Sequence, residues 1–187
     1  MWDYTDAVKD HFLNPRNVGE LEGANAIGET GSISCGDALR LFLKINNSDR
    51  IIDASFMTFG CASAVASSSA LTEIIKGMTL DEAAKITNED ISDYLGGLPK
   101  AKMHCSVMGQ SALKKAIADY RGVQILDKPG EMVCECFEVT DLEILDAVKG
   151  KGLKDIEAVT DYLKAGGGCG NCHERIEELI ESVEAKG

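Results

Sequence analysis

The sequence has no apolar stretch approaching the roughly 20 residues that a membrane-spanning helix needs, so no span is predicted. Its opening, Met1-Trp2-Asp3, lacks the basic start and apolar run of a secretory signal, and a cytoplasmic location is expected. Proline is scarce, with 3 in 187 residues, and no long polar tract suggests disorder. Positive charge is short as well: 19 Lys and Arg stand against 31 Asp and Glu, a net charge of −12. Residues 1–128 contribute −4 (13 against 17) and residues 129–187 contribute −8 (6 against 14). Such a balance repels a phosphate backbone and excludes nucleic acid as an expected partner, while favouring basic protein surfaces. No phosphate loop or nucleophile–base pair is apparent, so no hydrolase or transferase is expected.

What the sequence does hold is 44% apolar residues, enough for an ordinary core, and seven cysteines. Disulfides are rare in a reducing compartment and an odd number of thiols cannot pair fully, so metal binding or thiol chemistry is indicated. The cysteines fall at 35, 61 and 105, then at 134, 136, 169 and 172. The first three are spaced like ligands gathered by a fold. The last four form a C-x-C and a C-x-x-C pair separated by 32 residues. Between the groups, Asp127-Lys128-Pro129-Gly130 has turn composition and predicts a linker over 127–130, between domains at 1–126 and 131–187.

The N-terminal part predicts an α+β domain. Asp3 to Leu13 has the pattern of a short amphipathic helix ended by Asn14-Pro15. Leu39, Leu41, Leu43 and Ile45 alternate with Arg40 and Lys44, and Ile52, Ala54 and Phe56 alternate after a turn at 46–49, which predicts an antiparallel hairpin. A further strand is expected around Ala26 to Ile33. Helices follow: a small-residue helix over Ser63 to Lys76, a capping box at Thr79 and Glu82, and a helix from Cys105 burying Leu113, Ala116, Ile117 and Tyr120. Strands followed by helices define the class. The C-terminal part shows no convincing strands and is expected to be all-α, with helices around Ile144 to Val148, Ile156 to Leu163 and Ile176 to Val183.

Cys35 is followed by Gly36 and Asp37, Cys61 immediately precedes a predicted helix, and His104 and Cys105 open another. Thiols near helix N-termini feel the positive end of the helix dipole, which favours thiolate. Three cysteines, with Asp37 or His104 as a fourth ligand, suffice for a tetrahedral site, although buried core cysteines would show the same spacing. The segment Tyr4 to Phe12 with Asn14 to Gly19, then Cys35-Gly36-Asp37, Phe59-Gly60-Cys61-Ala62-Ser63-Ala64 and Leu98-Pro99 through Lys102-x-His104-Cys105-Ser106, resembles the NifU/IscU-type iron–sulfur scaffold family over about 125 residues. The resemblance implies that Cys35, Asp37, Cys61, His104 and Cys105 form a transient cluster-assembly site. It also implies that Cys105 accepts sulfur from a cysteine desulfurase of the NifS/IscS type. Leu98-Pro99-Lys100-Ala101-Lys102 departs from the Leu-Pro-Pro-Val-Lys motif of relatives that work with a dedicated Hsp70-type chaperone. His11 matches the family opening and is read as structural.

Cys134-Glu135-Cys136 and Cys169-Gly170-Asn171-Cys172 supply four thiolates, with Gly166-Gly167-Gly168 allowing a tight bend; spacing alone leaves iron–sulfur and zinc both open. The arrangement is similar to the bacterioferritin-associated-ferredoxin-like domain, which implies a permanent, redox-active 2Fe–2S cluster on Cys134, Cys136, Cys169 and Cys172. His173, beside the last ligand, is expected to be exposed and not a ligand. No cysteine follows Cys172, so a third domain with another C-x-x-C motif, present in many NifU proteins, is not predicted.

The expected function is therefore a non-enzymatic scaffold. A desulfurase supplies sulfur, iron binds at the first site, and the cluster passes to apo iron–sulfur proteins; a cluster shared between two copies would make the protein a homodimer. Two rivals come from other classes. An electron carrier would hold one redox-active cluster and no labile one, and a zinc-bound interaction module would be colourless. Zinc also competes for the ligands of the assembly site.

Overall fold

The computed structural model describes residues 4–32, 36–125 and 128–184, and the chain divides into two compact units, residues 1–125 and 126–187. In the first, helix α1 (Asp6–Leu13) begins where the Thr5 hydroxyl accepts a hydrogen bond from the Val8 N–H. It ends at Asn14, just before Pro15, whose ring disfavours helical geometry in the preceding residue. Asp3, placed in this helix by the sequence reading, lies outside the described residues.

Three strands, β1 (Ala26–Ser32), β2 (Asp37–Ile45) and β3 (Ile51–Phe59), form an antiparallel sheet in that order. Ile33, expected to end β1, lies outside the described residues. Leu39, Leu41, Leu43 and Ile45 are buried, as their alternation predicts, and Leu41 and Leu43 oppose Phe56 and Ala54 of β3. The register is set at the turn, where the Asn46 side-chain oxygen accepts from the N–H groups of Ser48 (2.9 Å) and Arg50 (3.1 Å). That register pairs Ala38 with Phe59, so the start of β2 and the end of β3 lie side by side. Asp37 and Cys61 are thereby delivered to one corner.

Helices α2 (Ala62–Ile75) and α5 (His104–Arg121) pack on the apolar face of the sheet. Ser63, Ser67, Ser68 and Ser69 of α2 are buried, and their small side chains let α1 lie close. Helices α3 (Leu80–Ala83) and α4 (Asn88–Tyr94) and a 3-10 turn at Lys100–Lys102 connect α2 to α5. The capping box at Thr79 and Glu82 forms as predicted; a second, between Thr87 and Asp90, starts α4, which sequence periodicity did not reveal.

The second unit carries β4 (Met132–Cys134), β5 (Val139–Thr140), α6 (Asp141–Lys151), α7 (Ile156–Leu163) and α8 (His173–Glu184). The expectation of an all-α domain is corrected here: β4 and β5 pair antiparallel, with Cys134 opposite Val139. Strands of three and two residues are too short for an alternating pattern to emerge, and the turn depends on Glu138 at a positive φ of 52°. The helices stand where expected, and Ile144, Val148, Val159, Ile176 and Ile180 pack around Cys134, Cys136 and Cys172. Among the described residues, no helix is long and apolar enough to cross a membrane.

Strand β1 meets α5 at Gly28. A Cβ there would lie 1.9 Å from the Ala112 carbonyl oxygen and 2.6 Å from the Ala116 nitrogen, both main-chain atoms. Gly28→Ala is expected to destabilise the first unit by about 1–3 kcal/mol or more. The check is thermal unfolding, in which an unchanged transition would show that β1 and α5 separate without cost.

Candidate metal centres

Four of the five residues expected at the first site converge. Asp37 opens β2, Cys61 is the N-cap of α2, and His104 and Cys105 begin α5. The Cys61 and Cys105 sulfurs are 3.6 Å apart, Asp37 Oδ2 lies 3.8 Å from Cys105 Sγ and 4.0 Å from His104 Nε2. The other carboxylate oxygen, Oδ1, accepts a hydrogen bond of 3.2 Å from the Cys61 N–H, one of the open donors at the start of α2. Gly60 makes this approach possible, since a Cβ there would fall 2.7 Å from Asp37 Oδ1. Cys35 lies outside the described residues.

The chemistry of this corner is that of a dry, mixed donor set. Asp37, His104 and Cys105 are buried, whereas Cys61 is half-buried. The Cys105 thiol donates towards Cys61, which holds the Cys61 pKa down to about 5 despite burial; the Ala64 N–H and the Lys102 charge assist. For the same reason Cys105 is pushed strongly up: its proton lies against a thiolate, and burial and the Asp37 charge add to that. Burial lowers the His104 pKa, which keeps the imidazole neutral with a lone pair to offer. Its Nδ1 is buried without a hydrogen-bond partner in geometric range among the described residues. Oxygen, nitrogen and sulfur donors within 4.8 Å of one another, supplied by Asp37, His104 and Cys105, suit a borderline cation such as iron or zinc.

The second site is an all-sulfur one. Cys134 ends β4, Cys136 lies in the following turn, and Cys169 and Cys172 lie in the loop before α8. The sulfurs pair across the two motifs: Cys136 and Cys169 stand 3.4 Å apart, and Cys134 interacts with Cys172. Backbone N–H groups point at these sulfurs, those of Gly166, Phe137 and Cys136 at Cys134 and that of Cys169 at Cys136. The Cys172 thiol is the main reason that the Cys134 pKa falls to about 6; Cys172 itself is pushed up by the same contact. Burial raises Cys136 to about 12. Cys169 is exposed, the other three buried. Four sulfurs ringed by amide donors fit a 2Fe–2S cluster, whose negative charge such donors stabilise.

The other two histidines are engaged in hydrogen bonds to oxygen atoms. His11 is buried with Nδ1 2.9 Å from the Ser69 hydroxyl and its ring edge-on to Tyr94. His173 is exposed, and its Nε2–H donates to the Gly166 carbonyl at 2.8 Å. Sequence reasoning missed Lys102 as a charge acting on both thiols of the first site, and the amide donors around the second. The former follows from its place two residues before His104; the latter depend on backbone direction, which no side chain signals.

Comparison with known proteins covers both units. Residues 3–126 match the family described as NifU-like N terminal domain, and residues 132–182 match the BFD-like [2Fe-2S] binding domain. The chain is 54% identical over 195 residues to the nitrogen fixation protein NifU of Nostoc sp. (strain PCC 7120), covering 98% of this chain and 65% of that one. It is 54% identical over 191 residues to NifU of Azospirillum brasilense, covering 100% of this chain and 62% of the relative. Iron-sulfur cluster assembly scaffold protein IscU 1 of Archaeoglobus fulgidus is 51% identical over 117 residues, 63% of this chain and 76% of its own. The chain thus spans slightly under two thirds of the length of the NifU relatives it matches. Among solved structures, a protein assigned as a scaffold of the SUF system in Fervidobacterium islandicum AW-1 has the same fold over 61% of this chain and 96% of its own, with a TM-score of 0.51 and 24% identity.

The shared proton of the first site has a measurable consequence. In metal-free, reduced protein at pH 6, above the Cys61 pKa of about 5, Cys61 is thiolate and should be alkylated by iodoacetamide much faster than Cys105. Cys105→Ala removes the donor, returns the Cys61 pKa toward that of an ordinary thiol, and should slow alkylation at pH 6 about tenfold. Rates resolved by peptide mass mapping check this; a Cys61 rate indifferent to the substitution would rule the proton sharing out.

Proposed function

Because the chain belongs to the NifU family, we propose that it is a scaffold on which iron–sulfur clusters are assembled and from which they pass to apo-proteins. The observation that carries this reading is the convergence of Asp37, Cys61, His104 and Cys105 at two helix starts, with sulfur, oxygen and nitrogen donors within 4.0 Å contacts. Cys35 completes the ligand set in this reading. The two compact units are then an assembly domain and a ferredoxin-like domain joined over 127–130. The protein works in the cytoplasm, where thiols stay reduced.

In this reading a cysteine desulfurase presents a persulfide, and Cys105 is the acceptor. Its proton passes to Cys61, 3.6 Å away. The Cys105 sulfur then attacks the outer sulfur of the persulfide; the S–S bond of the desulfurase breaks, its cysteine leaves as thiolate, and a new persulfide remains on Cys105. Iron enters against Cys35, Cys61, Cys105, Asp37 and His104 as substrate, and the nascent cluster is cargo. The 14 acidic residues among 129–187 favour partners with basic surfaces.

Cys134, Cys136, Cys169 and Cys172 hold a permanent 2Fe–2S cluster in the same reading. When bound, that group supplies reversible one-electron transfer. The chain's own contribution is to bury three of the four sulfurs and to aim amide N–H groups at them.

The test is the visible absorption of anaerobically purified protein, with iron and sulfide counted per chain before and after incubation with ferrous iron, cysteine and a desulfurase. The expected result is about two irons that persist, further iron that appears on incubation and leaves with a chelator, and a persulfide mapped to Cys105. A permanent cluster without a labile one would make the protein an electron carrier instead, and zinc without iron would make it an interaction module. A persulfide on Cys61 alone would move the acceptor role to the more exposed thiol. Within the same assay, Asp37→Ala exchanges a hard oxygen donor for none, and should leave the labile cluster several-fold longer-lived against chelator; an equal or shorter lifetime would remove Asp37 from the release step.

A further inference from the structure

The amide that serves the second site is held from behind. Thr160, in the last turn of α7, donates its hydroxyl to the Ala165 carbonyl at 2.7 Å. The Ala165 carbonyl and the Gly166 N–H belong to one planar, trans peptide group, so they point in opposite directions. On the far side, the Gly166 N–H is directed at the sulfurs of both Cys134 and Cys172. The next carbonyl, that of Gly166, is held by His173 Nε2–H at 2.8 Å. The loop is fitted to glycine at this point: Gly166 has φ of 88°, and a Cβ there would fall 2.9 Å from Thr160 Oγ1 and 3.1 Å from the His173 ring. Ala165 is fully buried, at 0% exposure, so water does not compete for its carbonyl.

We propose that Thr160 is a positioning residue of the C-terminal site, whose hydroxyl aligns and polarises the 165–166 peptide so that its N–H stabilises negative charge on Cys134 and Cys172 and on the cluster they ligate. The inference rests on the reading of this site as a 2Fe–2S centre. A hydrogen bond at the carbonyl strengthens the N–H of the same amide as a donor, because hydrogen bonds in series polarise one another. Donors to cluster sulfurs favour the reduced state, which carries one more negative charge, and so raise the reduction potential. The plainer alternative is that the Thr160 hydroxyl merely closes off the end of α7 and satisfies a buried carbonyl. The two differ in one respect: the alternative affects stability and leaves the potential where it was.

The test uses the full chain with its cluster and compares Thr160→Val, which keeps the shape and removes the hydroxyl, with Thr160→Ser, which keeps the hydroxyl. Iron per chain, visible circular dichroism and the potential from a spectroelectrochemical titration are read for each. Thr160→Val is expected to retain the cluster and shift its reduction equilibrium toward the oxidised form by about threefold to tenfold, tenfold being about 59 mV for one electron. Thr160→Ser should stay near the parent. Loss of the cluster in Thr160→Val alone, with retention in Thr160→Ser, is the outcome of the purely structural alternative and overturns the positioning role. A Thr160→Val protein with full iron and an unchanged potential overturns it, as does equal loss of cluster in both variants. A parent protein without the two-iron absorption would instead overturn the ferredoxin-like reading, and the inference with it.

Discussion

A buried carboxylate is the constraint on which the first site depends. Asp37 caps the start of α2 through the Cys61 N–H with one oxygen and faces Cys105 and His104 with the other. That single group ties the first residue of β2 to the beginnings of two helices, at the end of the sheet where Ala38 pairs with Phe59. Gly60 is part of the same constraint, because any side chain there would occupy the position of the carboxylate. The thiol pair then falls into contact as a consequence, with one proton between two sulfurs.

The elements that could be read in the sequence are those whose signal repeats. Leu39, Leu41, Leu43 and Ile45 repeat at the strand period over seven residues, and the predicted hairpin stands. Thr79 and Glu82 signal a helix start through side chains alone, and it stands as well. What escaped was set by backbone. The β4–β5 pair is too short to show a period, and its turn depends on the φ of Glu138. At the first site, the types of ligand could be read from Cys61, His104 and Cys105 at helix starts. The hydrogen bond from the Cys61 N–H to Asp37 could not, since it depends on strand register across the sheet. At the second, the cysteine spacing was plain and the amide donors behind it were not, because Gly166 contributes through an N–H that every residue but proline possesses.

The two sites are built from different donors, in keeping with the permanent and transient occupants proposed for them. Cys134, Cys136, Cys169 and Cys172 offer sulfur only, with N–H groups around them that favour negative charge. The first site mixes a carboxylate and a neutral imidazole with its thiols. Oxygen is a poorer match than thiolate for iron in a sulfide-rich cluster, so the mixed set holds its occupant less firmly.

The place of each site relative to its core carries that contrast further. In the second unit, Cys134, Cys136 and Cys172 lie inside the hydrophobic cluster with Ile144, Val159 and Ile176. A core of this size is marginal by itself, so ligation and folding are linked there, and release of the metal would cost part of the fold. In the first unit, the core runs along the sheet from Ile45 and Ile51 through Leu71 and Leu113, and Cys105 is among its buried members. Asp37 and His104 are buried without being part of that apolar body, and Cys61 packs against it from outside. In the proposed reading, emptying the first site therefore leaves folded the sheet and helices that position it. A scaffold requires that property of its assembly site and has no need of it in a centre that keeps its cluster.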